Sequence, residues 1–108
     1  MKRELLVAGL LAGIAGPALA ADIEAGHAKA KQVCAACHSE RGDKPLTDEY
    51  PILAGQYRDY LYKALLDYQS GARKNPVMAG MAKPLTREDI DNVAEWFSSQ
   101  QGPLHVKR

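Results

Sequence analysis

Cys34-Ala35-Ala36-Cys37-His38 is the stretch of this 108-residue chain whose residue types and spacing point most directly to chemistry. Two thiols separated by two residues can add across the two vinyl groups on one edge of a porphyrin. A histidine directly after the second cysteine is then placed under the ring, where its imidazole can bind iron. Ala35 and Ala36 are small enough to let the backbone lie against the ring edge. The pattern therefore points to one covalently attached haem c on Cys34 and Cys37, with His38 as an iron ligand. Three other chemistries share part of it. A redox dithiol uses the same cysteine spacing but sits after a strand in a βαβ unit, and no strand pattern precedes Cys34. A structural zinc site takes four ligands; beyond these three residues the chain offers only His27 and His105, without recognisable spacing. A disulfide between Cys34 and Cys37 would close a very short loop and constrain the unfolded chain little.

Two methionines, Met78 and Met81, could approach iron from the far side. A thioether is a soft, weak donor that favours ferrous iron and raises the reduction potential. With a histidine below and a methionine above, iron keeps no vacant position for oxygen or peroxide, as an electron carrier requires. The plainer role for both methionines is core filling. If neither binds iron, the open position would suit gas binding or peroxidase chemistry.

The elements that must position these groups are helical. Asp22 to Lys31 reads as a short helix ending at the cysteine segment, with acidic residues near its positive end. Residues 39–56 are punctuated by Gly42, Pro45, Pro51 and Gly55 and read as an irregular loop. Gln56 to Ser70 carries Tyr57, Tyr60, Leu61, Ala64, Leu65 and Tyr68 at helical spacing, and Gly71 ends it. These tyrosines are expected in the core. Residues 71–84, with Asn75-Pro76, Gly80 and Pro84, read as a second irregular loop holding both methionines. Thr86 and Asp89 resemble a capping box opening a last helix with Ile90, Val93, Ala94 and Phe97 as its apolar face. Three short helices and two long loops, without a convincing strand, make an all-α domain. Loops that long in a compact domain are functional or disordered, and wrapping a flat cofactor would account for them.

Composition narrows the functional classes. Lys2 and Arg3, the apolar run from Leu5 to Ala15, and Ala18-Leu19-Ala20 have the layout of a secretory signal peptide cleaved after Ala20. The apolar run covers about half the roughly twenty residues a spanning helix needs. The expected division is thus a leader at 1–20 and a single domain at 21–108. Without residues 1–20 the chain has twelve basic and twelve acidic residues. Such a neutral balance argues against nucleic-acid binding, which draws on an excess of cations. A domain of this size, with five tyrosines, one tryptophan and one phenylalanine, has a small core. Exported domains of that kind compensate with disulfides or a metal.

Gly26 through His38, Leu53-Ala54-Gly55-Gln56, Asn75-Pro76-Val77-Met78, and Leu85-Thr86 through Trp96-Phe97 with Ser98-Ser99-Gln100 together resemble a class I c-type cytochrome of the bacterial cytochrome c4-like branch. The resemblance spans nearly all of residues 25–100. It implies a cytochrome c fold around one haem, and it favours Met78 over Met81, because the family's ligand stands seven residues before the leucine opening the last helix. It implies that Pro45, seven after His38, accepts the histidine's Nδ1–H on its carbonyl. It also implies that Gly26 lies where the first and last helices cross, with Trp96 packed on it. Cytochrome c4 proteins have two haem domains, whereas this chain has one attachment site. The expected role is a periplasmic electron carrier, not an enzyme, with transient redox-protein donor and acceptor and no membrane span after cleavage. A cytochrome subunit of a larger dehydrogenase and a haem enzyme or gas sensor are the alternatives. Lys29, Lys31, Lys44, Lys74 and Lys83 could steer an acidic partner, and a tyrosine or Arg58 could reach a haem propionate.

Overall fold

The computed structural model describes residues 20–104, which form five α-helices joined by turns and loops, with no strand among them. The leader expected at 1–20 falls, apart from Ala20, outside the described residues, as does the basic tail from His105.

Helix α1 (Ile23–Lys29) starts where Asp22 accepts the Glu24 and Ala25 N–H groups at 3.0 and 3.1 Å, satisfying donors that have no intrahelical partner. The chain then passes through one π turn, Ala30–Cys34, into the short α2 (Ala35–His38). The wider turn closes on an Ala35 N–H to Ala30 carbonyl bond. Single π turns of this kind interrupt helices mostly at functional sites. Ser39 ends α2 at φ 73°, a left-handed value rare for a residue with a side chain. Its hydroxyl compensates: Oγ accepts the Asp43 and Lys44 N–H groups, each at 3.1 Å, and donates to Asp43 Oδ1 at 3.0 Å.

Helix α3 (Arg58–Ser70) ends at Gly71, whose φ of 86° is the left-handed stop that glycine supplies without strain. The segment read as a second irregular loop contains a further helix, α4 (Pro76–Ala82). Asn75 caps it by accepting the Val77 and Met78 N–H groups at 3.0 and 3.1 Å, and Pro76 occupies the first position, where a missing N–H costs nothing. Asn-Pro here starts a helix instead of breaking one. Helix α5 (Arg87–Ser98) opens with the expected reciprocal box: Asp89 N–H to Thr86 Oγ1 at 2.9 Å and Thr86 N–H to Asp89 Oδ2 at 3.0 Å.

Helix α1 packs against α5, α5 against α3, and α3 against α4. The α1–α5 crossing depends on Gly26, where a Cβ would overlap the Asn92 carbonyl and come 3.2 Å from Trp96 Cβ. The crossing is tied by an Asp22 N–H to Asn92 Oδ1 bond of 2.8 Å spanning seventy residues of chain. Ile90, Val93, Ala94 and Phe97 are all buried, as their spacing predicts. Together with Ala30 and Leu61, Val93, Ala94 and Phe97 form a small core against which Cys34, Leu53, Tyr62, Leu65 and Trp96 pack. Of the tyrosines expected inside, Tyr57 and Tyr60 are 51% and 49% exposed, whereas Tyr68 is half-buried. The Tyr60 hydroxyl accepts from Arg73 Nη1 at 3.1 Å.

Candidate haem-binding cavity

Three side chains of the Cys34–His38 segment reach one cavity of about 330 Å³, enclosed between α2, α3, α4, α5 and the loop after α2. Residues 34, 37 and 38 stand three and four apart, so a helical segment presents them on one face. Both cysteines are free thiols, half-buried at the cavity wall. Burial pushes the Cys34 thiol up to about 11. A sulfur so placed stays neutral, which suits a thioether. It does not suit a redox nucleophile or a metal thiolate, both of which need the anion. Among the described residues no group of three or more His, Cys, Asp or Glu side chains could hold a metal ion.

His38 is 6% exposed, and its Nδ1 lies 3.0 Å from the Pro51 carbonyl. A carbonyl only accepts, so Nδ1 carries the proton and Nε2 keeps its lone pair for a metal. The acceptor is thus Pro51 and not Pro45, which corrects the expectation from the seven-residue spacing. The cause lies in the loop. The Leu46 N–H bonds to the Cys37 carbonyl at 2.8 Å, so the chain at Pro45–Leu46 is held against the end of α2. Six further residues are needed before a carbonyl swings round to the imidazole. Gly42 fixes the return: its carbonyl accepts the Leu53 and Ala54 N–H groups at 2.8 and 3.0 Å. Its φ is 73°, and a Cβ there would press on Leu53 and Phe97 at 2.8 Å.

Met78 and Met81 both front the cavity from α4, one turn apart. Met78 is half-buried, while Met81 is 46% exposed. Helix α4 is held against α3 by Gln69, whose Nε2 donates to the carbonyls of Ala82 at 2.8 Å and Leu85 at 2.7 Å. Leu61, Ala64 and Leu65 of α3 with Val93, Ala94 and Phe97 of α5 supply apolar walls. Polar groups are few and lie around Glu49, Tyr50, Gln56, Tyr60, Tyr68, Arg73 and Asn75. Arg58 is engaged elsewhere, paired with Asp59, Asp91 and Glu95.

The donor set fits one haem c: two free thiols on one wall, an oriented imidazole beside them, thioethers on a separate helix, and apolar surface between. Sequence spacing located Cys34, Cys37, His38 and the methionines. It missed Pro51 and Arg73, whose approach to the cavity depends on how the loops return, whereas Tyr60 and Tyr68, among the tyrosines considered for a propionate, do line the cavity from α3. The only sequence signal for Arg73 was a cation just after the glycine ending α3. The structure also joins His27 to the same framework. Its ring stacks on Trp96, with centroids 3.8 Å apart, and Nε2 lies 2.6 Å from Glu40 Oε2. Trp96 Nε1–H donates to the Glu40 carbonyl at 2.9 Å.

Comparison with known proteins agrees with this geometry. The family model for cytochrome c matches residues 23–101. Cytochrome c4 of Stutzerimonas stutzeri is 41% identical, over 96% of this chain and 53% of its own length. Cytochrome c-553 of Helicobacter pylori is 34% identical, over 90% of this chain and 96% of its own length. The crystal structure of reduced recombinant cytochrome c4 from Pseudomonas stutzeri superposes with a TM-score of 0.71 at 39% identity, covering 79% of this chain and 48% of that one. The chain spans about half the length of the cytochrome c4 relatives it matches.

Proposed function

The chain belongs to the cytochrome c family, and on that premise we propose that it is a periplasmic one-electron carrier, with His38 and Met78 ligating the iron of a haem c held on Cys34 and Cys37. The observation that carries this reading is the convergence, on one apolar cavity, of two half-buried thiols, an imidazole with Nε2 free, and a half-buried thioether on the facing helix.

When bound, the group supplies a metal centre that changes oxidation state by one electron. The chain's own residues account for the rest. Cys34 and Cys37 fix the position of the ring edge through thioether bonds. Pro51 holds the His38 ring in one orientation and one tautomer, which would leave Nε2 available to the iron. Met78 is preferred to Met81 because it is the more buried of the two and sits in the first turn of α4, where Asn75 fixes the backbone. Leu61, Val93 and Phe97 line the cavity and would keep water from the bound group, a lever on potential. Were His38 and Met78 both to hold the iron, no coordination position would be left for a substrate, as a carrier requires. Among the described residues no helix is long and apolar enough to cross a membrane. The leader-like residues 1–20 support export. The redox partners would be proteins met transiently through a small interface.

Methionine replacement tests the ligand assignment. Met78→Ala should abolish the sulfur-to-iron charge-transfer band of the oxidised protein, while Met81→Ala should retain it. The opposite pattern would make Met81 the ligand, and a band surviving both changes would rule out methionine ligation.

A further inference from the structure

Helix α4 carries both methionines that front the cavity, yet it has little packing of its own. Of its seven residues only Ala82 is buried, and the chain leading into it, residues 70–75, is exposed throughout. A helix of two turns does not persist in water by itself. Its C-terminal end is where another element takes hold. Gln69, near the end of α3, is half-buried, and its Nε2 donates to the carbonyls of Ala82 at 2.8 Å and Leu85 at 2.7 Å. Ala82 ends α4, and Leu85 precedes the Thr86 cap of α5, so a single amide ties three helices together. Ala82 and Leu85 are both buried, where a carbonyl without a donor is costly. Met78 stands four residues before Ala82 and so shares its face of α4. The position of its sulfur follows from where that last turn is pinned.

We propose that Gln69 is the positioning residue for the second iron ligand: by pinning the end of α4 it keeps the Met78 thioether on the iron and the sixth position closed to outside ligands. This rests on the His38 and Met78 reading above. Gln69 is not among the residues lining the cavity, so it acts through the helix and not by contact with the bound group. Pinned and lifted arrangements of α4 are in equilibrium, and an outside ligand binds only the lifted one. Its apparent affinity is therefore its intrinsic affinity scaled by the lifted fraction. Hydrogen bonds of modest net weight set that fraction, and losing both raises it about tenfold.

The experiment titrates the oxidised, haem-loaded protein with imidazole and follows loss of the sulfur-to-iron band. Gln69→Leu should bind imidazole about tenfold more tightly than wild type. Gln69→Glu should bind it at least as tightly as Gln69→Leu, because at neutral pH it sets a carboxylate oxygen against two carbonyl oxygens. Asp22→Ala, which removes the α1 cap instead, should bind as wild type does. Amide hydrogen exchange on the wild type gives a second reading that needs no variant to fold. The Lys83 and Leu85 N–H groups, bonded to the Ala79 and Ala82 carbonyls at 3.0 Å each, should exchange more slowly than the Ala79 N–H, bonded to the Asn75 carbonyl at 2.8 Å. Gln69 variants that keep covalent haem and the band, yet show wild-type imidazole affinity, would overturn the proposal and leave the haem reading standing, even if they melted earlier. Slower exchange at Ala79 than at Lys83 would overturn it too. An oxidised wild type without the band overturns the methionine ligation itself, and this proposal with it.

Discussion

Replacing Gly26 by alanine tests the packing that holds the first and last helices around the cavity. Two effects oppose each other. Alanine is the better helix former by about 1 kcal/mol, which would stabilise α1. The added methyl, however, would occupy the space of the Asn92 carbonyl on α5 and press on Trp96 Cβ at 3.2 Å. Neither neighbour is the free end of a flexible side chain, so the helices must separate. Overpacking of that kind costs about 1–3 kcal/mol. Separation also stretches the Asp22 N–H to Asn92 Oδ1 bond, a further loss of about 1 kcal/mol. Crowding wins by about 2 kcal/mol, equivalent in a domain this small to a melting point lower by about 10 °C. Gly80 in α4 is the control, since a Cβ there would meet nothing within 4 Å. Gly80→Ala should therefore gain about 0.5–1 kcal/mol from propensity alone. Urea unfolding of the haem-loaded protein, followed by far-UV circular dichroism, measures both. A Gly26→Ala protein as stable as Gly80→Ala would refute the close crossing.

Phe97 is 3% exposed and packs in the core while also facing the cavity. Phe97→Ala should cost about 3–5 kcal/mol in the same urea experiment and broaden the haem absorption bands. The His27 bond holds the Glu40 carboxyl below its usual range. A lowered carboxylate pKa means stability that is present above the unfolded-state value and is lost as pH falls through the folded-state value. Thermal melts from pH 7 to pH 3 should therefore show a smaller acid-induced loss in Glu40→Gln than in wild type. Equal losses would contradict that sign.

The parts of the fold written in local patterns were legible. The apolar spacing of α5, its Thr86–Asp89 box and the stop at Gly71 all depend on neighbours within one or two turns, and each is found where the pattern puts it. The cysteine–histidine segment was legible for the same reason. Helix α4 was not, because asparagine, proline and glycine serve as both turn formers and helix starters. Only the Asn75 side-chain bonds decide between the two roles. The histidine's acceptor depends on how a long loop returns, which a count of residues from His38 does not fix; a hydrogen bond at Leu46 moves it to Pro51. Tyr60 looked like core because helical periodicity assigns a face without saying what that face meets, and here it meets the cavity rim and Arg73.

The central claim is that side chains fill both axial positions of a covalently held haem iron, and it is tested most directly by exposing the reduced, haem-loaded protein to carbon monoxide. The account predicts a sharp low-spin spectrum that the gas leaves unchanged, with haem absorbance that stays with the polypeptide after acid-acetone extraction. A reduced spectrum that shifts on adding carbon monoxide would contradict it, and would mean an open iron position suited to gas binding or catalysis.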